Sequence, residues 1–87
     1  MTASSEPRVI VYTTQICGYC RAAKQLLQAR GIAYTEVDLT DDHAQRSALV
    51  EKTGWRTVPL IEIDGELIGG FNELRSLDKQ GGLPSPE

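Results

Sequence analysis

The sequence predicts an α/β fold: a four-stranded mixed sheet with helices on both faces, in the order β-α-β-α-β-β-α. Three observations carry this. Runs rich in β-branched residues alternate with segments whose apolar residues recur every three to four positions. Each such segment is followed by glycine, the usual helix stop. Near the end, Asp64-Gly65 divides two short apolar runs, the strongest short signal for a hairpin.

Residues 1–7 are small and polar, end in Pro7, and read as a frayed tail. RVIVYT (Arg8–Thr13) has too little polar alternation for a half-exposed strand and reads as a buried central one. Gly18 to Arg30 reads as a helix, with Ala22, Ala23, Leu26 and Leu27 on one face and Gly31 as its stop. AYTEVDL (Ala33–Leu39) has strand composition. Asp41 and Asp42 open a second helix carrying Ala44, Ala48, Leu49 and Lys52, closed by Gly54. Leu60–Ile63 and Glu66–Gly70 are the arms of the hairpin. Leu74 and Leu77 mark a last helix, ended by Gly81-Gly82, and the closing LPSPE reads as loose. A β-α-β start implies parallel pairing through a right-handed crossover, and the hairpin adds an antiparallel edge.

The 87 residues have room for one domain, 1–87, with 1–7 and 84–87 as tails. Hydrophobic residues make up 40% and charged residues 24%, as in an ordinary soluble globular protein, and no apolar run reaches the roughly 18–20 residues of a membrane span. The net charge of -3 argues against nucleic acid as a partner. MTASSEPR lacks the basic start and apolar middle of a secretory signal. The expected location is therefore the cytoplasm, where a permanent structural disulfide is disfavoured.

That bears on YTTQICGYCRAAKQLL, which holds both cysteines, Cys17 and Cys20. Two thiols three positions apart suit a structural bridge, half of a metal site or a reactive pair. A structural zinc site wants four ligands, and the chain offers two cysteines and His43 in another element. His43 stands among polar residues at a helix start and reads as exposed. A C-x-x-C within this element order reads as a thioredoxin-like redox motif. Cys17 stands where strand hands over to helix, near unpaired N–H groups and the positive end of the helix dipole. Such donors favour thiolate, and cysteines in this setting have pKa values of about 3.5–7.5 against roughly 8.5 for a free thiol. Cys20, on the same helical face, is expected to be the more buried. Cys17 is then the attacking thiol and Cys20 the resolving one. Arg21 and Lys24 add positive charge nearby.

Two further motifs stand apart from the cysteines. In RTVP (Arg56–Pro59) the proline stands at a strand entrance, and a cis proline opposite a C-x-x-C frees the Val58 backbone to pair with an extended peptide. In GGFNEL (Gly69–Leu74) two glycines open a helix, whose N-terminus is a ready anion site.

Together, CGYC, RTVP and GGFNEL resemble the glutaredoxins of dithiol type, from about Arg8 to Leu83. The resemblance implies reduction of glutathione mixed disulfides and protein disulfides, with glutathione as co-substrate, by a monomer. Carried over position by position, it implies Cys17 as nucleophile and Cys20 as resolving thiol. Tyr19 is then the ring beside the glutathione sulfur, and Thr57, Val58 and Pro59 form the segment pairing with the glutathione backbone. Gly70, Asn72 and Glu73 form the turn that receives the γ-glutamyl carboxylate. Three positions depart from the family. Gly18 replaces a proline. Thr14 replaces a lysine that holds the glycine carboxylate, leaving Arg46 or Arg56 as substitutes. Asn72-Glu73 replaces a serine, threonine or aspartate followed by aspartate. A small residue at position 18 also occurs in members that share a [2Fe–2S] cluster across a dimer, with Cys17 as the protein ligand of each copy and glutathione completing the set. YTT before CGYC further resembles the mycothiol-linked redoxins, and redoxins fed by thioredoxin reductase are similar in size; GGFNEL favours glutathione over both.

Overall fold

The computed structural model describes residues 9–84. Its elements are β1 (Val9–Thr13), α1 (Gly18–Ala29), β2 (Tyr34–Asp38), α2 (His43–Thr53), β3 (Leu60–Ile63), β4 (Glu66–Gly69) and α3 (Phe71–Lys79). The order is the expected one, and the strands form a single sheet, β2-β1-β3-β4. β1 runs parallel to β2 and antiparallel to β3, and β4 pairs antiparallel with β3. Arg8 and the tails 1–7 and 85–87 lie outside the described residues.

The core is the sheet face bearing Val9, Val11, Ile61 and Ile63, closed by Ala23 and Leu27 of α1 and Leu74 of α3. Burying each of the Val, Ile and Leu side chains contributes about 1.5–3 kcal/mol. β1 is central, but only alternate residues are fully buried; Ile10 and Tyr12 are half-buried, which corrects the expectation of a wholly buried strand. β3 is buried throughout, Glu62 included, and Tyr12 is pushed upward in pKa by burial and then by the charge of Glu62. Leu83, read as loose, packs against the core. α2 departs most from its expected pattern. Ala44 and Ala48 are exposed, and the helix turns Arg46, Leu49 and Val50 inward. Leu49 and Val50 share a recess with Leu39 and Leu60, on the sheet face opposite the main core.

Sequence signals set the boundaries. Asp42 caps α2, accepting from the Gln45 N–H at 3.0 Å. Gly31, Gly54 and Gly81 follow the three helices as expected. Asp64 and Gly65 both take positive φ, 54° and 83°, as a two-residue hairpin turn of the primed type requires.

A polar triad ties β1, α1 and β2 together beside the core. The buried Thr13 hydroxyl donates to Glu36 Oε2 at 2.8 Å, and Lys24 Nζ lies 3.0 Å from the same oxygen. The Thr13 hydrogen bond first, and Lys24 second, hold the Glu36 carboxyl below its ordinary pKa. A carboxyl depressed in the folded state stabilises above its unfolded pKa, and that contribution is lost as pH falls through the folded value. Thr13→Val is expected to cost about 1 kcal/mol at neutral pH. The gap from wild type should close in acid, as Glu36 protonates. Urea unfolding at neutral pH and near pH 3 measures both; a cost unchanged by acid would remove the carboxylate from the explanation.

Candidate active site

The sheet register brings three separate segments together. Tyr12 pairs with Leu60, so the chain leaving β1 and the chain entering β3 meet just beyond that pair. One carries Cys17 and the other Thr57, Val58 and Pro59. Ile61 pairs with Gly69, which sets Gly70 beside Pro59; a Cβ at Gly70 would lie 3.5 Å from the Pro59 carbonyl oxygen. The meeting point is the carboxyl end of the parallel strand β1, where open α/β sheets place their ligands.

Cys17 is the N-cap of α1, with extended backbone at φ -158° and ψ 103°. Its sulfur accepts from the Cys20 N–H at 3.1 Å, one of the otherwise unpaired donors of the first turn. The same sulfur lies 3.7 Å from the Val58 carbonyl oxygen. Cys20 is 2% exposed, whereas Cys17 is half-buried and open to one side. The two form a disulfide, with Cα atoms 5.2 Å apart. The Val58–Pro59 peptide bond is cis.

A groove of about 400 Å³ runs from this corner along the N-terminus of α3. Tyr19, Thr57, Val58, Pro59, Gly70, Asn72 and Glu73, the residues marked in the sequence, all line it. The Tyr19 ring stacks on Phe71 across its mouth, with centroids 6.1 Å apart and planes inclined by 28°. Trp55 and Phe71 also line the groove and were not foreseen as site residues. Phe71 lay inside GGFNEL, between the positions assigned a role, and Trp55 stood immediately before RTVP; an aromatic within a ligand-binding motif was the available signal. The Trp55 indole N–H is buried without a hydrogen-bond partner among the described residues. Its ring edge packs under Gly70, 3.3 Å from where a Cβ would stand.

Two expectations need correction. Glu73 turns back on its own helix, its Oε1 accepting from the Gly70 N–H at 2.9 Å, so its carboxylate already occupies part of the α3 N-terminus. An anionic ligand group there meets the N–H groups of Phe71 and Asn72 beside a negative charge. Lys24 is committed to Glu36 and supplies no free charge to the thiols. Arg21 is the exposed cation left on that part of α1. His43 is exposed, as read. Arg46 and Arg56 line a small recess with Trp55, Thr57 and Val58, behind the groove wall.

Comparison with known proteins gives one consistent result. Residues 9–68 match the family model described as glutaredoxin. Glutaredoxin 3 of Escherichia coli K12 is 40% identical over 75 residues, 86% of this chain and 90% of its own length. A glutaredoxin of Pseudomonas aeruginosa is 40% identical over 77 residues, covering 88% and 92%. Among solved structures, the buckwheat glutaredoxin–glutathione complex superposes with a TM-score of 0.84 at 32% identity, over 88% of this chain and 73% of that one.

Proposed function

The chain belongs to the glutaredoxin family, with its thioredoxin-like fold, and we propose that it reduces glutathione mixed disulfides and protein disulfides using glutathione. The observation that carries this is the groove walled by Val58-Pro59, the first turn of α3 and the Tyr19–Phe71 pair, with the Cys17 sulfur 3.7 Å from the carbonyl oxygen of its wall residue Val58. Its shape and chemistry suit an extended tripeptide with one free backbone to pair and a carboxylate at its far end.

The reduced enzyme begins with Cys17 as thiolate, stabilised by the Cys20 N–H and the end of α1. It attacks the glutathione sulfur of a mixed disulfide. A new S–S bond forms to Cys17, the old one breaks, and the protein thiolate leaves and takes a proton. A second glutathione thiolate then attacks the glutathione-bound sulfur, releasing glutathione disulfide and restoring Cys17. With a protein disulfide, Cys20 instead attacks Cys17 Sγ within the mixed disulfide. The substrate leaves as a dithiol and the enzyme is left as the Cys17–Cys20 disulfide, which two glutathiones reduce. In the groove, the Val58 backbone is assigned to the glutathione cysteine. The N–H groups of Phe71 and Asn72 are assigned to the γ-glutamyl carboxylate. Arg46 and Arg56, in the recess behind Thr57 and Val58, are the candidate cations for the glycine carboxylate, since Thr14 stands where the family has lysine.

A [2Fe–2S] dimer would take Cys17 from each copy. Glutathione would complete the set; the oxidoreductase reading is the one the relatives favour. The test is turnover of a glutathione-capped peptide, with electrons from glutathione and glutathione reductase or from thioredoxin reductase. Glutathione-linked turnover is expected. Turnover with thioredoxin reductase alone would replace this reading with that of a redoxin of another thiol system. As a check on the groove, Phe71→Ala should raise the Michaelis constant for the capped peptide more than it lowers kcat.

A further inference from the structure

Ile16, the residue before the attacking cysteine, is 97% exposed, the most exposed of the large apolar side chains among the described residues. Beyond Cys17, Gly18 is also exposed, and a Cβ there would meet nothing within 4 Å. The backbone on both sides of the sulfur is therefore open, with an apolar side chain standing free on one side. An isoleucine left wholly in water forgoes a favourable burial, and this one stands next to the reactive sulfur in the chain. The glutathione groove does not use it: Ile16 does not line that groove.

The charge around Ile16 indicates what docks there. On the Gln15 side opens a recess of about 380 Å³ lined by Gln15, Asp38, Thr40, Asp41 and Asp42. Its wall is fixed: the Gln15 N–H donates to Thr40 Oγ1 at 2.8 Å, and the Thr40 hydroxyl donates to Asp38 at 2.6 Å. No basic side chain lines the recess. Lys24 is paired with Glu36 and acts on Asp38 only as a weaker, longer-range charge, and Arg21 follows Cys17 on α1, away from the Gln15 side in sequence.

We propose that Ile16 is the apolar contact for protein substrates, and that the preferred substrates carry a hydrophobic residue and a Lys or Arg beside the disulfide under attack. This rests on the oxidoreductase reading and names a substrate class for it. The apolar residue covers Ile16 while the cation faces Asp38, Asp41 and Asp42, which sets the substrate's direction across Cys17. The chemistry is the protein-disulfide route above, with the enzyme dithiol as the reductant.

The test is single-turnover oxidation of the dithiothreitol-reduced protein, followed by fluorescence of Trp55, the only tryptophan. It uses no glutathione, so its outcome is independent of whether glutathione is the cellular reductant. Short disulfide peptides are compared, with Leu or Ser and with Lys or Glu beside the reacting cysteine. The Leu-Lys peptide is expected to react roughly three- to fivefold faster than Leu-Glu, with the advantage shrinking in high salt. Asp41→Lys, at an exposed position, should abolish that preference. Ile16→Ser should slow the Leu peptides by up to about tenfold and leave oxidation by a small uncharged linear disulfide such as hydroxyethyl disulfide unchanged. Equal rates for the Lys and Glu peptides overturn the proposal. So does an Ile16→Ser defect of the same size on the small disulfide. Loss of a wild-type dimer in the Ile16→Ser variant, seen by sedimentation, would make the patch a contact between copies and equally overturn it.

Discussion

Cys17→Ser is expected to abolish reduction of every disulfide substrate, whereas Cys20→Ser should spare most activity on glutathione-capped peptides and lose protein-disulfide reduction. The difference follows from position. Cys17 is the cap of α1, partly open, with its sulfur at the Cys20 N–H and 3.7 Å from the carbonyl oxygen of Val58, a wall residue of the groove. Serine retains the cap hydrogen bond, since a hydroxyl is a better cap acceptor than sulfur. The variant should therefore fold as well as wild type, and the loss is one of chemistry, because a neutral hydroxyl is no substitute for a thiolate. Cys20 is 2% exposed and can reach only the Cys17 sulfur. It is needed where no second thiol can enter, as in a mixed disulfide with a bulky protein. Where the bound partner is glutathione, a second glutathione can do its work. The measurement is the pair of rates, on capped peptide and on protein disulfide, for each variant. Equal losses across both variants and both assays would remove the division of labour.

The parts of the site legible in the sequence were those whose chemistry is local. The three-residue spacing of Cys17 and Cys20 and the strand-to-helix handover sufficed to expect Cys20 as the more buried thiol, which the structure shows. RTVP announced its proline against the following strand. What escaped depended on contacts between distant elements. Lys24 is one turn from Cys20 along α1 and looked free, but its partner is Glu36, twelve residues on, across a helix-to-strand crossing. Trp55 could be placed only once the loop before β3 was known to pass under Gly70. Glu73 was legible in part. A glycine N-cap followed three residues later by glutamate is close to a capping box, and that local reading competes with the ligand-binding one.

The same distinction holds for the fold. Element order, helix stops and the Asp64-Gly65 turn are properties of short windows, and the structure has them as read. The inward face of α2 is not such a property. Its apolar residues are sparse, so the alanines at 44 and 48 gave a spacing that the sheet does not use, and Leu49 with Val50 faces Leu39 and Leu60 instead. Burial of Glu62 in an apolar-looking LIEI run is likewise decided by what surrounds β3 on both faces.

The largest loss of stability from a single small substitution is expected at Gly69→Ala. Gly69 ends β4 at φ 127°, a conformation an L side chain rarely adopts. An added Cβ would also meet Glu73, at 2.8 Å from Cγ, 3.0 Å from Cβ and 3.1 Å from Cδ. Backbone strain of this kind costs roughly 1–3 kcal/mol. Displacing the Glu73 carboxylate from the Gly70 N–H adds about 1 kcal/mol for the lost cap. A total of about 2–4 kcal/mol is a large share of the roughly 5–15 kcal/mol that holds a small domain, and corresponds to a fall in Tm of about 10–25 °C. Gly18→Ala is the control, since that position has open space and no left-handed backbone; alanine there should be neutral or stabilise by up to about 1 kcal/mol. The double variant Gly69→Ala/Glu73→Ala separates the two causes. It removes Cγ and Cδ from the collision and leaves the strain, so it should recover part of what Gly69→Ala loses relative to Glu73→Ala alone. Because Gly70, Phe71, Asn72 and Glu73 all line the groove, the folded fraction of Gly69→Ala should also bind glutathione more weakly. Thermal unfolding of the five proteins decides the matter, and a Gly69→Ala variant that melts with wild type would show that β4 can rearrange to admit a side chain at no cost.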